Sequence, residues 1–98
     1  SGSGPAYVFL LAEVMTAAGI EVGLPPALAK QLVEATVSGA GALVAASDDS
    51  PSQLRVNVTS KGGTTAAALA VLMAEDGMAP LLEKAIRAAR DRSVELGG

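Results

Sequence analysis

The stretch Pro25-Pro26-Ala27-Leu28-Ala29-Lys30-Gln31-Leu32-Val33-Glu34-Ala35-Thr36-Val37-Ser38-Gly39-Ala40-Gly41-Ala42-Leu43-Val44-Ala45-Ala46 decides the fold. Pro26 suits the start of a helix, where its missing N–H would have had no partner in any case. From Ala27 to about Ala46 apolar residues recur at helical spacing, with Leu28, Leu32, Ala35, Val37, Ala40 and Val44 setting one face. Lys30 and Glu34 stand at i,i+4 on the other side, as a helical ion pair would. The run therefore reads as one long central helix. Ser38-Gly39-Ala40-Gly41-Ala42 lies inside it, and each mid-helix glycine costs about 1 kcal/mol relative to alanine. Simple tolerance of a weak spot is one reading. The other is that a second helix crosses there and needs its backbone close, which small residues permit. So apolar a chain favours the second, and makes Gly39 and Gly41 contact positions.

The flanking segments are helical too. Pro5 suits a first turn, and Tyr7 to Ala18 continues to Gly19, read as a C-cap, with Ile20 to Leu24 as a short connector. Val8, Phe9, Leu10, Leu11, Val14 and Met15 cover more than one face of this first helix, as in a helix buried on several sides. Its lone Glu13 is best explained as a partly exposed residue or one half of an ion pair rather than a functional carboxylate. Ser47-Asp48-Asp49-Ser50 is a polar loop, with Ser50 or Asp49 capping a short helix of Pro51 to Val56. A fourth helix, Thr64 to Glu75, is expected to bury Leu69, Leu72 and Met73 and to end at Gly77. The last runs from Met78 or Pro80 to Leu96, with Leu81, Leu82, Ala85, Ile86 and Ala89 inward, and Gly97-Gly98 frays. Arg87, Arg90 and Arg92 do not share one face and lie among Glu83, Asp91 and Glu95, so a solvated flank laced with ion pairs explains them better than a phosphate site. The expected fold is all-α, about five helices in a single domain over 1–98.

Composition narrows the function. Half of the 98 residues are apolar and 17% are charged. A chain of this mass folded alone buries only about 60–65% of its unfolded surface. That leaves more apolar surface than a small monomer easily hides, so part of it is expected to face a partner chain. The apolar residues are mostly Ala, Val and Leu, with Phe9 and Tyr7 the only aromatics. A net charge of −3 without a Lys/Arg cluster argues against nucleic acid. With neither Cys nor His, disulfides, thiol chemistry, the common zinc sites and the commonest general base are all excluded, and no metal is expected. The apolar run Ala6 to Ala12 stops at Glu13, and Ala35 to Ala46 is short and holds two glycines, so no membrane span is expected. The opening Ser1-Gly2-Ser3-Gly4 lacks the basic start of a signal peptide and also reads as a linker. A cytoplasmic protein fits these features.

The segment with chemical content is Val58-Thr59-Ser60-Lys61-Gly62-Gly63-Thr64-Thr65, running into Ala66 to Met73. The first N–H groups of a helix have no partner within it, and the helix dipole favours negative charge there. The natural guest is a carboxylate or a phosphate. Gly62 and Gly63 let a ligand approach the backbone, and a Thr64 or Thr65 hydroxyl can cap the helix or bond the guest. An ordinary loop with a threonine N-cap has the same pattern.

Several segments in order resemble the C-terminal domain of the pyrroline-5-carboxylate reductases. They are Ser1-Gly2-Ser3-Gly4-Pro5-Ala6-Tyr7, Ala18-Gly19-Ile20-Glu21-Val22-Gly23-Leu24-Pro25 and Thr36-Val37-Ser38-Gly39-Ala40. Pro51-x-x-Leu54 with Val58-Thr59-Ser60-x-Gly62-Gly63-Thr64-Thr65 looks like the family signature, and Arg92-Ser93-Val94-Glu95-Leu96 like its last helix. The resemblance implies an intertwined helical homodimer of the 6-phosphogluconate-dehydrogenase C-terminal-like kind, with Phe9, Leu32, Gly39, Gly41 and Leu69 at the interface, possible further assembly, and a substrate loop. It implies that the whole enzyme reduces the C=N bond of 1-pyrroline-5-carboxylate to give L-proline with NAD(P)H, held on an N-terminal Rossmann domain absent here. Backbone N–H groups at Gly63, Thr64 and Thr65 would hold the substrate carboxylate. Thr65 would contact the ring nitrogen as the catalytic residue, Ser60 would shape the loop, and Gly62 belongs to the same binding set. This chain has no strand followed by G-x-G-x-x-G, so alone it is expected to bind no nucleotide and to be inactive. One departure stands out: the family usually has proline where this chain has Lys61. Proline fixes φ, so lysine leaves the loop looser, although its charge can attract a carboxylate. The alternative reading is an excised or engineered helical homodimer scaffold without activity. A helical adaptor for another protein has no motif in its favour.

Overall fold

Helical periodicity and well-placed prolines produce five helices among the described residues: α1 (Gly4–Glu21), α2 (Pro26–Ala46), α3 (Pro51–Asn57), α4 (Thr64–Leu72) and α5 (Met78–Glu95). The computed structural model describes residues 2–97, among which there is no strand. The expected fraying at Gly98 lies outside the described residues, as does Ser1. The chain divides into two compact units, Ser1–Pro51 and Ser52–Gly98.

In the first unit α1 packs on α2. Proline occupies the first turn of both helices, where no N–H is lost from the hydrogen-bond ladder. The end of α1 differs from the sequence reading. Gly19 is not a cap; the helix runs on through Ile20 to Glu21. Gly23, at φ 115°, takes the left-handed position instead. Leu24 N–H donates to Gly19 C=O and Gly23 N–H to Ile20 C=O, both at 3.0 Å, the two bonds of a Schellman cap. Gly19 has a different task. A Cβ there would lie 3.3 Å from Leu24 Cδ1, so its hydrogen leaves room for the Leu24 side chain, while Ala29 Cβ, at 3.6 Å, would be in ordinary contact.

One face of α2 turns inward against α1. Ala29 (1% exposed) and Val33 (8%) are the only buried residues described, and Val37 continues their stripe half-buried. The face expected from periodicity differs: Leu28 and Leu32 are exposed, at 40% and 47%. α1 was expected to be buried on several sides, yet within one chain it has no buried residue, and Val8, Phe9, Leu10, Leu11, Val14 and Met15 are all exposed. Nothing among the described residues lies within 4 Å of a Cβ built on Gly39 or Gly41, so α1, the other helix of this unit, does not cross there. The Lys30–Glu34 pair forms as expected, at 2.9 Å.

The second unit holds α3, α4 and α5 and has no buried residue among those described. α4 stops at Leu72 rather than Glu75. Met73 N–H still reaches Leu69 C=O at 2.8 Å, but Ala74 N–H turns to Val71 C=O and Gly77 N–H to Ala74 C=O. Gly77 sits so close to the end of α4 that an added Cβ would stand 2.8 Å from the Leu72 carbonyl carbon. It serves as the N-cap of α5, not the end of α4. Of the side chains α4 was expected to bury, Leu69 is half-buried, while Leu72 and Met73 are exposed. On α5, Leu81, Leu82 and Ile86 are exposed and only Ala89 is half-buried. Its arginines are engaged in exposed pairs, Arg87–Glu83 at 2.6 Å, Arg90–Asp91 at 2.8 Å and Arg92–Glu95 at 3.1 Å. Such pairs each contribute about 0.2–1 kcal/mol, too little to replace a missing core.

Candidate functional site

α3 closes on its own carbonyls. Val58 N–H and Thr59 N–H donate to Arg55 and Val56 C=O, and the Thr59 hydroxyl donates to Arg55 C=O at 2.6 Å. The chain then reverses over Ser60-Lys61-Gly62-Gly63. Gly63 N–H donates to Ser60 C=O at 3.1 Å and Gly62 has φ 74°. An i→i+3 bond with positive φ at the third residue is the pattern of a type II turn. Lys61 occupies its second position, where proline fits best. That explains on physical grounds why a proline would suit position 61. A Cβ on Gly63 would overlap the Ser60 hydroxyl, so position 63 has room only for glycine beside Ser60.

The N-cap of α4 is Gly63, in extended backbone, without a side-chain cap bond. Neither threonine caps the helix. The first intrahelical bond runs from Ala67 N–H to Gly63 C=O at 3.1 Å. The N–H groups of Thr64, Thr65 and Ala66 are thereby left with no acceptor among the described residues. Sequence reasoning grouped Gly63, Thr64 and Thr65. Gly63 is spent on the turn to Ser60, and Ala66 takes its place in the amide set. Recognising Gly63 as the N-cap would have revealed Ala66. The structure thus brings Ser60, Gly62, Gly63, Thr64 and Thr65 together in one turn and the first turn of α4. Thr65 is half-buried and Thr64 exposed. A row of amides without acceptors at a helix start is the arrangement that favours negative charge.

The residues expected at an interface stand open. Phe9 is 71% exposed, Leu32 and the two α2 glycines are uncovered, and Leu69 is half-covered. Among the described residues no group of three or more acidic side chains gathers as a metal would require. No helix is long and apolar enough to cross a membrane.

Helices whose apolar faces are left open within one chain define the class: an all-α association domain, with a glycine-threonine turn leading into α4. The model of the family "pyrroline-5-carboxylate reductase dimerisation" matches residues 1–96, and the chain belongs to that family. It is 45% identical over 97 residues to a pyrroline-5-carboxylate reductase of Synechocystis sp., covering 99% of this chain and 36% of that protein. To the Pseudomonas aeruginosa reductase it is 46% identical over 96 residues, covering 98% and 35%. The Plasmodium falciparum pyrroline carboxylate reductase, solved with NADP bound, superposes with TM-score 0.92 at 38% identity, covering 100% of this chain and 37% of that one. The Coxiella burnetii pyrroline-5-carboxylate reductase gives TM-score 0.91 at 44% identity, covering 98% and 35%. The chain thus spans about a third of the length of the curated relatives it matches. The family's dimerisation role accounts for the uncovered apolar faces, and a scaffold without activity is not favoured.

Proposed function

We propose that this chain is the self-association and substrate-binding part of an enzyme that reduces 1-pyrroline-5-carboxylate to L-proline. The observation that carries the reading is the row of unpaired amides at Thr64, Thr65 and Ala66, in a chain of the reductase dimerisation family. In this reading these amides hold the substrate carboxylate, the Thr65 hydroxyl reaches the ring nitrogen, and Ser60, Gly62 and Gly63 keep the turn in shape. Fixing the carboxylate at one end of a small ring orients its C=N bond, and positioning of this kind accounts for a large part of a rate enhancement. The described residues do not fit a nicotinamide dinucleotide: they include no strand leading through a glycine-rich loop into a helix. NAD(P)H therefore belongs to a part of the enzyme outside these residues.

The two units act, in this reading, as one domain completed by a second copy, intertwined through Phe9, Leu32, Gly39, Gly41 and Leu69, with further assembly of dimers open to it. A second unit without any buried residue supports this, since about 0.8 kcal/mol per buried methylene must come from somewhere. A cytoplasmic location completes the proposal. The test is Thr65→Ala in the full-length reductase. Turnover should fall while the unfolding temperature holds; unchanged turnover removes Thr65 from the site.

A further inference from the structure

Two charged side chains stand unpaired at apolar places. Arg55, on α3, lines two adjoining hollows of the second unit, of about 450 and 480 Å³. The larger is otherwise walled mainly by Leu69, Leu72, Met73, Met78 and Leu82. No carboxylate among the described residues pairs with Arg55, whereas Arg87, Arg90 and Arg92 are all engaged. Glu13 is the mirror case. Apart from Glu21 at the helix end it is the only charged residue of α1, and it too has no ion-pair partner. Lys30 shares a groove with Glu13, but its ammonium is held by Glu34 at 2.9 Å. One turn before Glu13, on the same stripe, lie Phe9 and Leu10, both exposed.

Covering the hollow would strip water from Arg55, and an uncompensated buried charge is strongly unfavourable. Whatever covers it must therefore bring a carboxylate set among apolar side chains. The other acidic residues do not qualify. Glu34, Glu83, Asp91 and Glu95 are already paired, Asp48, Asp49, Glu75 and Asp76 lie in polar loops or turns, and Glu21 stands at the C-terminal end of α1. Glu13 alone sits in the middle of an exposed apolar helix face.

Resting on the self-association reading, we propose that α1 of one copy lays its Phe9–Leu10–Glu13 stripe into the α3–α4–α5 hollow of a second copy. Glu13 then pairs with Arg55 of the partner subunit. In a two-fold dimer the contact is made twice. The ion pair fixes the register of two otherwise uniform apolar surfaces, the best-attested use of a charge pair in an apolar interface.

The test is a charge exchange read by sedimentation equilibrium. Glu13→Arg and Arg55→Glu should each weaken the dimer by about a hundredfold or more, and the double exchange should restore most of that loss. A double exchange no tighter than the weaker single variant, in a wild-type chain that does dimerise, overturns the pairing and leaves self-association standing. A wild-type chain monomeric at every concentration overturns both. Because the chain has no cysteine, a second measurement remains if a charge variant fails to fold. Glu13→Cys copies mixed with Arg55→Cys copies and treated with a short bismaleimide should give a crosslinked pair containing one of each. Dimers that never give this product show another occupant in the hollow and refute the proposal.

Discussion

Phe9→Ala separates a self-contained fold from one completed by a second copy. In the single chain Phe9 is 71% exposed, so truncating it costs an isolated fold little. Fully burying a phenylalanine side chain is worth about 1.5–3 kcal/mol. If a partner covers the exposed seven-tenths or so, each copy loses about 1–2 kcal/mol on truncation, and a symmetric dimer loses twice that, about 2–4 kcal/mol. At about 1.4 kcal/mol per tenfold, the dimer dissociation constant should rise about thirtyfold to a thousandfold. Sedimentation equilibrium on wild type and variant across nanomolar to millimolar concentration measures it. Circular dichroism at concentrations where both are dimeric should show unchanged helix content. A dissociation constant within about threefold of wild type would refute the reasoning, because surface substitutions outside an interface stay within about ±0.5 kcal/mol.

Three further substitutions probe the loop and the long helix. Gly62→Ala forces alanine into the left-handed region at no steric cost from neighbours, about 1–2 kcal/mol of backbone strain; in the full-length enzyme KM should rise about fivefold to thirtyfold, and an unchanged KM separates the turn from the site. Lys61→Pro places proline at the second position of the type II turn and should stabilise the loop by about 0.4–1 kcal/mol, seen as a lower KM; a higher KM would instead show the lysine charge assisting the anion. Gly39→Leu meets open space within its own chain, so a monomer should tolerate it, while a helix crossing from a partner should be overpacked by about 1–3 kcal/mol. Equal dimer strength would place the crossing elsewhere.

Much of the fold was legible because local chemistry speaks plainly here. Pro5, Pro26 and Pro51 mark three helix starts, and i,i+4 spacing foretold the Lys30–Glu34 and Glu83–Arg87 pairs. The loop's composition announced a turn running into a helix start, and the structure has one, with Gly63 as the N-cap of α4. What escaped were the details set by distances between elements. Gly19 reads as a cap by composition, yet it lies inside α1 against the Leu24 side chain, and Gly23 does the capping. Of the face read from periodicity in α2, Val37 is half-buried but Leu28 and Leu32 are exposed, because leucines dominate a periodicity argument while Ala29 and Val33 are the residues that α2 buries. Ala66 went unnoticed because an alanine contributes to the loop only through its amide, which no side-chain pattern reveals.

The sequence by itself determined an all-α chain with a glycine-threonine turn before a helix and an excess of apolar surface, because propensity, capping and period are local properties of neighbouring residues. Only the tertiary structure decided which glycine caps and which packs, that Gly63 spends its N–H on Ser60, and that Phe9, Leu10 and Leu32 remain uncovered within one chain. The first two are settled by local turn geometry that composition does not show, and the last by how near the helices lie in space. Side-chain volume and backbone geometry set that distance jointly, across residues far apart in the sequence.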